Sequence, residues 1–213
     1  MNNKNISRLL IVFFVLLSIG FFALVIPMIM DSERKKPVLP IIGNDQNHHV
    51  QAFQFVNQDG HAVTEKDIAG KICVVEYFFA SCKGMCPKMN SNMKLIYDKY
   101  KSNDKVLILS HTVDPEKDSA AALKLYASQF SADSKHWLFL TGDKKQLYEM
   151  ARYSYLINAE QDTTGLSPDK DFIHDKHFVL VDTKGRIRGF YDGLDQVSVN
   201  KLITDIAILL IEK

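Results

Sequence analysis

Apolar and polar positions divide the chain into a long uncharged run, a polar stretch and then a series of short strand and helix signatures. Leu9–Met30 is 22 residues without a charge; at about 1.5 Å per helical residue such a run crosses the roughly 30 Å hydrocarbon core of a bilayer. The following Ile29-Met30-Asp31-Ser32 has no small-x-small cleavage pattern, so residues 1–30 are expected to be a retained membrane anchor rather than a signal peptide. Residues 31–49, with Pro37, Pro40, Gly43 and a polar tract ending in His48 and His49, read as a linker. Residues 50–213 are long enough for one domain with its own core.

Within that domain, Phe53 and Phe55 alternate with polar neighbours ahead of Asn57-Gln58-Asp59-Gly60, which predicts an opening hairpin. Thr64-Glu65-Lys66-Asp67 has the form of a helix N-cap, and Gly70 stops the short helix it starts. Ile72 to Phe79 is apolar on both faces and rich in β-branched and aromatic residues, as in a central strand. Met89, Met93, Ile96, Tyr97 and Tyr100 recur at helical spacing behind Pro87. Further strands are predicted at Val106–Val113, Trp137–Leu140, Phe178–Asp182 and Arg186–Tyr191. Helices fall between them, and one closes the chain from Val199 to Leu210. Alternating strands and helices imply an α/β fold with parallel strands. Asn158 to Asp171 has no periodicity and reads as a loop.

The chemistry concentrates at Cys82-Lys83-Gly84-Met85-Cys86-Pro87, the turn between the central strand and its helix. A helix N-terminus favours thiolate, so both sulfurs are expected to ionise more readily than a free cysteine. Strand, cysteine turn and helix suggest a thioredoxin-like unit, with three residues between the cysteines in place of the usual two. Thiols at this spacing lie about one helical turn apart, near enough to form a disulfide or to hold a soft metal ion. Cys73 reads as a core residue. Glu76, on the central strand, is expected to reach a strand edge or meet a lysine. His111 and His136 are expected to be satisfied polar groups at element ends, and His48, His49 and His61 to be solvated. The formal net charge of +1 gives no reason to propose a nucleic-acid surface.

The chain resembles the SCO/SenC family of membrane-anchored, copper-binding cytochrome c oxidase assembly proteins over about residues 50 to 211. The resemblance rests on Asn57-Gln58-Asp59-Gly60, Gly70-Lys71, Cys82-x-x-x-Cys86-Pro87, Thr112-Val113-Asp114-Pro115-Glu116-Lys117-Asp118 and Phe139-Leu140-Thr141-Gly142. It implies a thioredoxin-like fold and a copper ion held by Cys82, Cys86 and a histidine eleven residues before the glycine of the last hairpin, which here is His174. His177, three residues on, is the competing ligand.

On this reading the protein is a copper chaperone, with the copper-bearing subunit of cytochrome c oxidase as its partner. The membrane holds its N-terminal helix, and the domain lies on the extracytoplasmic, periplasmic side. The alternative is a membrane-anchored thiol-disulfide oxidoreductase. No proline stands between Pro168 and Phe178, where most thioredoxin-like oxidoreductases carry one before the strand facing the cysteines.

Overall fold

The computed structural model describes residues 3–34, 37–43, 48–157 and 175–212 and divides into two units between Val38 and Leu39. The first is dominated by helix α1 (Asn3–Arg34), whose stretch Leu10–Pro27 is long and apolar enough to cross a membrane. Its side chains, among them Phe14, Leu16 and Leu24, are exposed. An apolar face this extensive is what a bilayer covers, and α1 is a candidate membrane anchor.

The second unit is built on one seven-stranded sheet. In chain order its strands are β1 (Gln54–Asn57), β2 (Ala62–Thr64), β3 (Ile72–Phe78), β4 (Val106–Thr112), β5 (Trp137–Thr141), β6 (His177–Val181) and β7 (Ile187–Asp192), arranged in space as β2-β1-β5-β4-β3-β6-β7. β3, β4 and β5 run parallel, while β6 pairs antiparallel with β3 and β7 with β6. The helices are α2 (Glu65–Ile68), α3 (Cys86–Tyr100), α4 (Ala120–Ser128), α5 (Lys144–Glu149), which continues as a π-helical turn Met150–Ser154, and α6 (Gln196–Ile211). The final hairpin strands sit one position from their predicted bounds. Asp182 belongs to the turn, where its carboxylate accepts the backbone N–H of Lys184 and Arg186, and Gly185 takes a φ of +76° that favours glycine.

β3 is buried along its whole length, and successive side chains enter opposite cores. Ile72, Val74 and Phe78 pack with α3, α4 and α6, while Cys73, Val75 and Tyr77 pack with α5, its π-helical turn and the β1–β2 hairpin. Two motifs acquire physical roles on this frame. The side-chain amide of Gln58 donates to the Trp137 carbonyl (2.8 Å) and accepts the Phe139 N–H (2.9 Å), joining the hairpin turn to β5. A Cβ at Gly142 would stand 2.9 Å from the Phe55 ring, so only glycine lets β1 approach there.

Part of the stretch read as linker lies against the sheet. The Arg188 guanidinium, buried on β7, donates to the carbonyls of Leu39 (2.6 Å) and Pro40 (2.9 Å) and pairs with Asp182 and Glu212. Ile42 forms a bridge with Ile187. His48 is not solvated as expected; it is half-buried, and its Nε2 donates to the Ser154 carbonyl (3.0 Å).

Two buried polar groups also depart from expectation. Glu76 reaches neither an edge nor a lysine. It is fully buried on the α3 side of the sheet, where its Oε1 accepts the Ser110 hydroxyl (2.5 Å) and its Oε2 has no hydrogen-bond partner among the described residues. Burial raises its pKa to about 7, against a smaller opposing effect of the Ser110 bond. His111, next to last in β4, is not a satisfied polar group: it is stacked on Tyr77 with ring centroids 5.0 Å apart and set edge-on to Phe55 and Tyr155. Neither ring nitrogen closes a hydrogen bond of good geometry, although the backbone at Leu109 and Glu76 offsets part of the shift by which burial lowers its pKa to about 3.

Glu76 gives a pH prediction. Its folded pKa lies above the ordinary carboxylate value of 4.5, so the folded state keeps a proton that the unfolded chain releases, and stability falls as pH rises from about 4.5 to about 7. Glu76→Gln removes this contribution. Chemical denaturation from about pH 4 to about pH 8 should show the variant gaining on the parent protein by up to about 3 kcal/mol; a gap that stays constant with pH would show that Glu76 does not titrate in this window.

Candidate metal and thiol centre

The two site cysteines occupy a turn that is pinned on its strand side. β3 ends at Phe78, whose carbonyl accepts the Val113 N–H (2.8 Å). Two residues on, the Ala80 N–H donates to Asp118 (3.0 Å), a buried carboxylate that also accepts the Thr112 hydroxyl (2.5 Å) at the end of β4. The chain then turns tightly, with the Cys82 N–H on the Phe79 carbonyl (3.2 Å), and enters α3 at Cys86. Asn90, one turn into that helix, donates to the Cys86 carbonyl (3.1 Å) and to the Tyr126 hydroxyl (3.2 Å). Cys82 is half-exposed and Cys86 is buried; both are free thiols, as is Cys73 in the opposite core.

The expectation of two readily ionised sulfurs holds for one of them. Burial acts to raise the Cys82 pKa, but hydrogen bonds from the Cys86 thiol and from the backbone N–H groups of Cys86, Gly84 and Met85 together lower it. Burial pushes Cys86 up to about 12, and the bond its thiol donates to Cys82 reinforces the shift. The pair is therefore an exposed sulfur inclined to thiolate beside a buried thiol that shares its proton with it. The start of α3 is unlike that of its neighbours. Thr64, Ser119, Asp143 and Asp195 cap α2, α4, α5 and α6 with side-chain oxygens, whereas α3 has Met85 at its N-cap with no side-chain bond. Pro87 in its first turn has no N–H to cap, and the Lys88 N–H bonds to the Met85 carbonyl (3.0 Å).

Both sulfurs face a largely apolar cavity of about 240 Å³, whose wall also includes Phe78, Met85 and Asp175. The sheet brings Asp175 there. β3 runs toward this edge and β6 runs away from it, so the residues that lead into β6 arrive at the cysteine turn. His174 lies outside the described residues; its chain neighbour Asp175 is on the cavity wall. His177 is on β6 opposite Asp192. Its Nδ1 lies 3.1 Å from Asp175 Oδ1, which also accepts its backbone N–H (2.6 Å), and it is not part of the cavity wall. Among the described residues no group of three or more His, Cys, Asp or Glu side chains is placed to hold a metal ion.

Asp118 and Asn90 position the turn; Asp118 stands in the sequence only as the last residue of the Thr112–Asp118 motif, with no role attached, and Asn90 stands in no motif. The partners of Asp118 lie 6 and 38 residues away along the chain, so no local pattern reveals its role.

The sequence profile described as SCO1/SenC matches residues 43–210. The chain is similar to the SCO1 protein homolog of Bacillus subtilis, with 30% identity over 162 residues that span 75% of this chain and 82% of that protein. Among solved structures it is similar to BsSco, a member of the Sco family of cytochrome c oxidase assembly proteins in which a disulfide switch was identified. The TM-score is 0.64 and the identity 28%, covering 80% of this chain and 99% of that one. It is also similar to Bradyrhizobium japonicum ScoI with copper bound, at TM-score 0.57 and 25% identity over 76% of this chain and 99% of that one. These neighbours share the mixed sheet and the thioredoxin-like fold expected from the sequence. A profile match from residue 43 to residue 210 takes in nearly all of the globular unit, and the chain belongs to the SCO1/SenC family.

Proposed function

We propose that this protein is a membrane-anchored copper chaperone for cytochrome c oxidase. It binds one copper ion through the thiolates of Cys82 and Cys86 and the imidazole of His174, and delivers it to the binuclear copper site of the oxidase's copper-bearing subunit. The observation that carries this reading is the cavity, where two sulfurs meet Asp175, the residue directly after His174. Two soft sulfurs and an imidazole suit copper, Cu(I) included, better than hard cations. The copper-bound ScoI structure and the oxidase-assembly role of BsSco support the same assignment. With α1 in the membrane, the domain lies on the extracytoplasmic side, the face on which a respiratory oxidase receives copper. Reporter fusions placed after Lys213 should be active outside the cytoplasm; activity inside it would reverse the orientation.

A second reading draws on the inequality of the two thiols. A thiolate-inclined Cys82 beside a buried Cys86 is the arrangement by which a thiol pair attacks a client disulfide and then resolves the mixed disulfide. The disulfide switch of BsSco points the same way. Thiol exchange and copper binding are alternative states of one pair, because a disulfide offers no thiolate to a metal.

The central test is metal content. The reduced full-length protein in detergent should take up one copper per chain. The oxidised protein should take up none, and Cys82→Ser and Cys86→Ser should each lose tight binding while keeping the fold. Stoichiometric copper on the oxidised protein or on either variant would remove the two-thiolate site.

The third ligand is tested separately. His177 is held by β6 and by Asp175, so His177→Ala should change copper affinity little. His174→Ala should lower it by about an order of magnitude or more, since even indirect changes around a ligand cost roughly 10–100-fold. The sulfur-to-copper charge-transfer band of the Cu(II) form should shift in the His174 variant alone; the opposite pattern would transfer the role to His177.

A further inference from the structure

Met85 stands between the two cysteines, three positions after Cys82 and directly before Cys86, and packs against the core on the α3 side of the sheet. It is the N-cap of α3, yet its side chain makes no capping bond. An apolar residue there gives up roughly 1 kcal/mol relative to Ser, Thr, Asp or Asn. It is half-buried and lines the same cavity as Cys82 and Cys86. Apart from the two cysteines, it is the only soft donor among the described residues on that wall. Phe78 and Phe79 have no lone pair, the Tyr77 hydroxyl is a hard oxygen turned to the Leu147 carbonyl (3.1 Å), Lys83 is a cation, and Asp175 is a hard oxygen donor already shared with His177.

We infer that Met85 supplies a third sulfur to copper in its Cu(I) state. The inference rests on the copper reading above and adds a residue to the donor set proposed there. A thioether is neutral and soft, matching Cu(I) and contributing little to Cu(II), whose preference is for nitrogen and oxygen. It is also indifferent to pH in the range where an imidazole is protonated. The thioether therefore stabilises the reduced ion in a donor set that the imidazole alone would leave more evenly balanced between the two oxidation states. Met85 is moreover the residue at which the turn enters α3, beside Cys86 in sequence and on the same cavity wall as Cys82.

The test uses the reduced full-length protein and two independent readouts. Sulfur scattering around Cu(I), measured by X-ray absorption on the unmodified chain, should require three sulfurs per copper. It should fall to two in Met85→Leu, which keeps the apolar volume. Competition against a chromogenic Cu(I) chelator should show Met85→Leu weakened by about tenfold or more, while Cu(II) affinity changes by less than about twofold. Circular dichroism checks that the variant is folded, and the scattering count on the unmodified chain needs no variant.

Copper bound through only two sulfurs, with Cu(I) affinity unchanged by Met85→Leu, would overturn the inference and leave the proposed function standing. An unmodified chain that binds no copper at all, or binds it equally well in Cys82→Ser, would overturn both. Equal losses of Cu(I) and Cu(II) affinity would show that Met85 acts by packing the turn, and would also overturn it.

Discussion

One buried carboxylate, accepting the Ala80 N–H and the Thr112 hydroxyl, sets where β3 and β4 stop relative to each other. Strand pairing has ended by Ala80, so Asp118 gives that partly buried N–H the partner that the sheet no longer supplies. The Val113 N–H bonded to the Phe78 carbonyl and the Asp118 N–H bonded to the Asp114 carbonyl complete the lock. The cysteine turn therefore starts from a fixed point. Thiol and metal chemistry require sulfurs placed to within a fraction of an ångström, which a turn achieves only when its supports are rigid.

The helix that follows departs from the others: α2, α4, α5 and α6 are started by oxygen caps, whereas α3 begins at Met85 with no side-chain bond and with proline in its first turn. Local rules of helix initiation are set aside at the one place where the chain needs a reactive atom, which is where such departures are expected. The backbone N–H groups of Cys86, Gly84 and Met85 at the entry to α3 are among the groups that lower the Cys82 pKa. The unequal pair follows from position: Cys82 is on the turn at the surface, and Cys86 is already inside the helix and the core.

Much of this architecture was legible in the residue pattern. The run Ile72 to Phe79 announced a strand buried on both faces, and the Thr64–Asp67 capping box and the helical spacing from Met89 to Tyr100 appear where the pattern put them. What escaped depends on contacts between distant segments. Glu76 looks like a misplaced charge until β4 brings Ser110 beside it. His111 looks like an end-of-strand polar residue until Tyr77, Phe55 and Tyr155 close around its ring. His48 looks solvated until the π-helical turn presents the Ser154 carbonyl. The cysteine turn was visible because all of its parts are contiguous; the inequality of its thiols was not, because helical position, burial and the bond between the sulfurs emerge only in three dimensions.

The antiparallel placement of β6 beside the parallel pair has an evolutionary consequence. Residues 158–174 end where β6 begins, and β6 begins at the cysteine edge because its register with β3 is set by Cys73–Val181, Val74–Leu180 and Val75–Val179. Insertions or deletions upstream of His174 leave that register untouched, and lengthening a connection adds only about 0.6 kcal/mol of closure entropy per doubling. The chain can therefore vary in length ahead of β6 among descendants of the fold while Asp175 keeps its place on the cavity wall beside the cysteines.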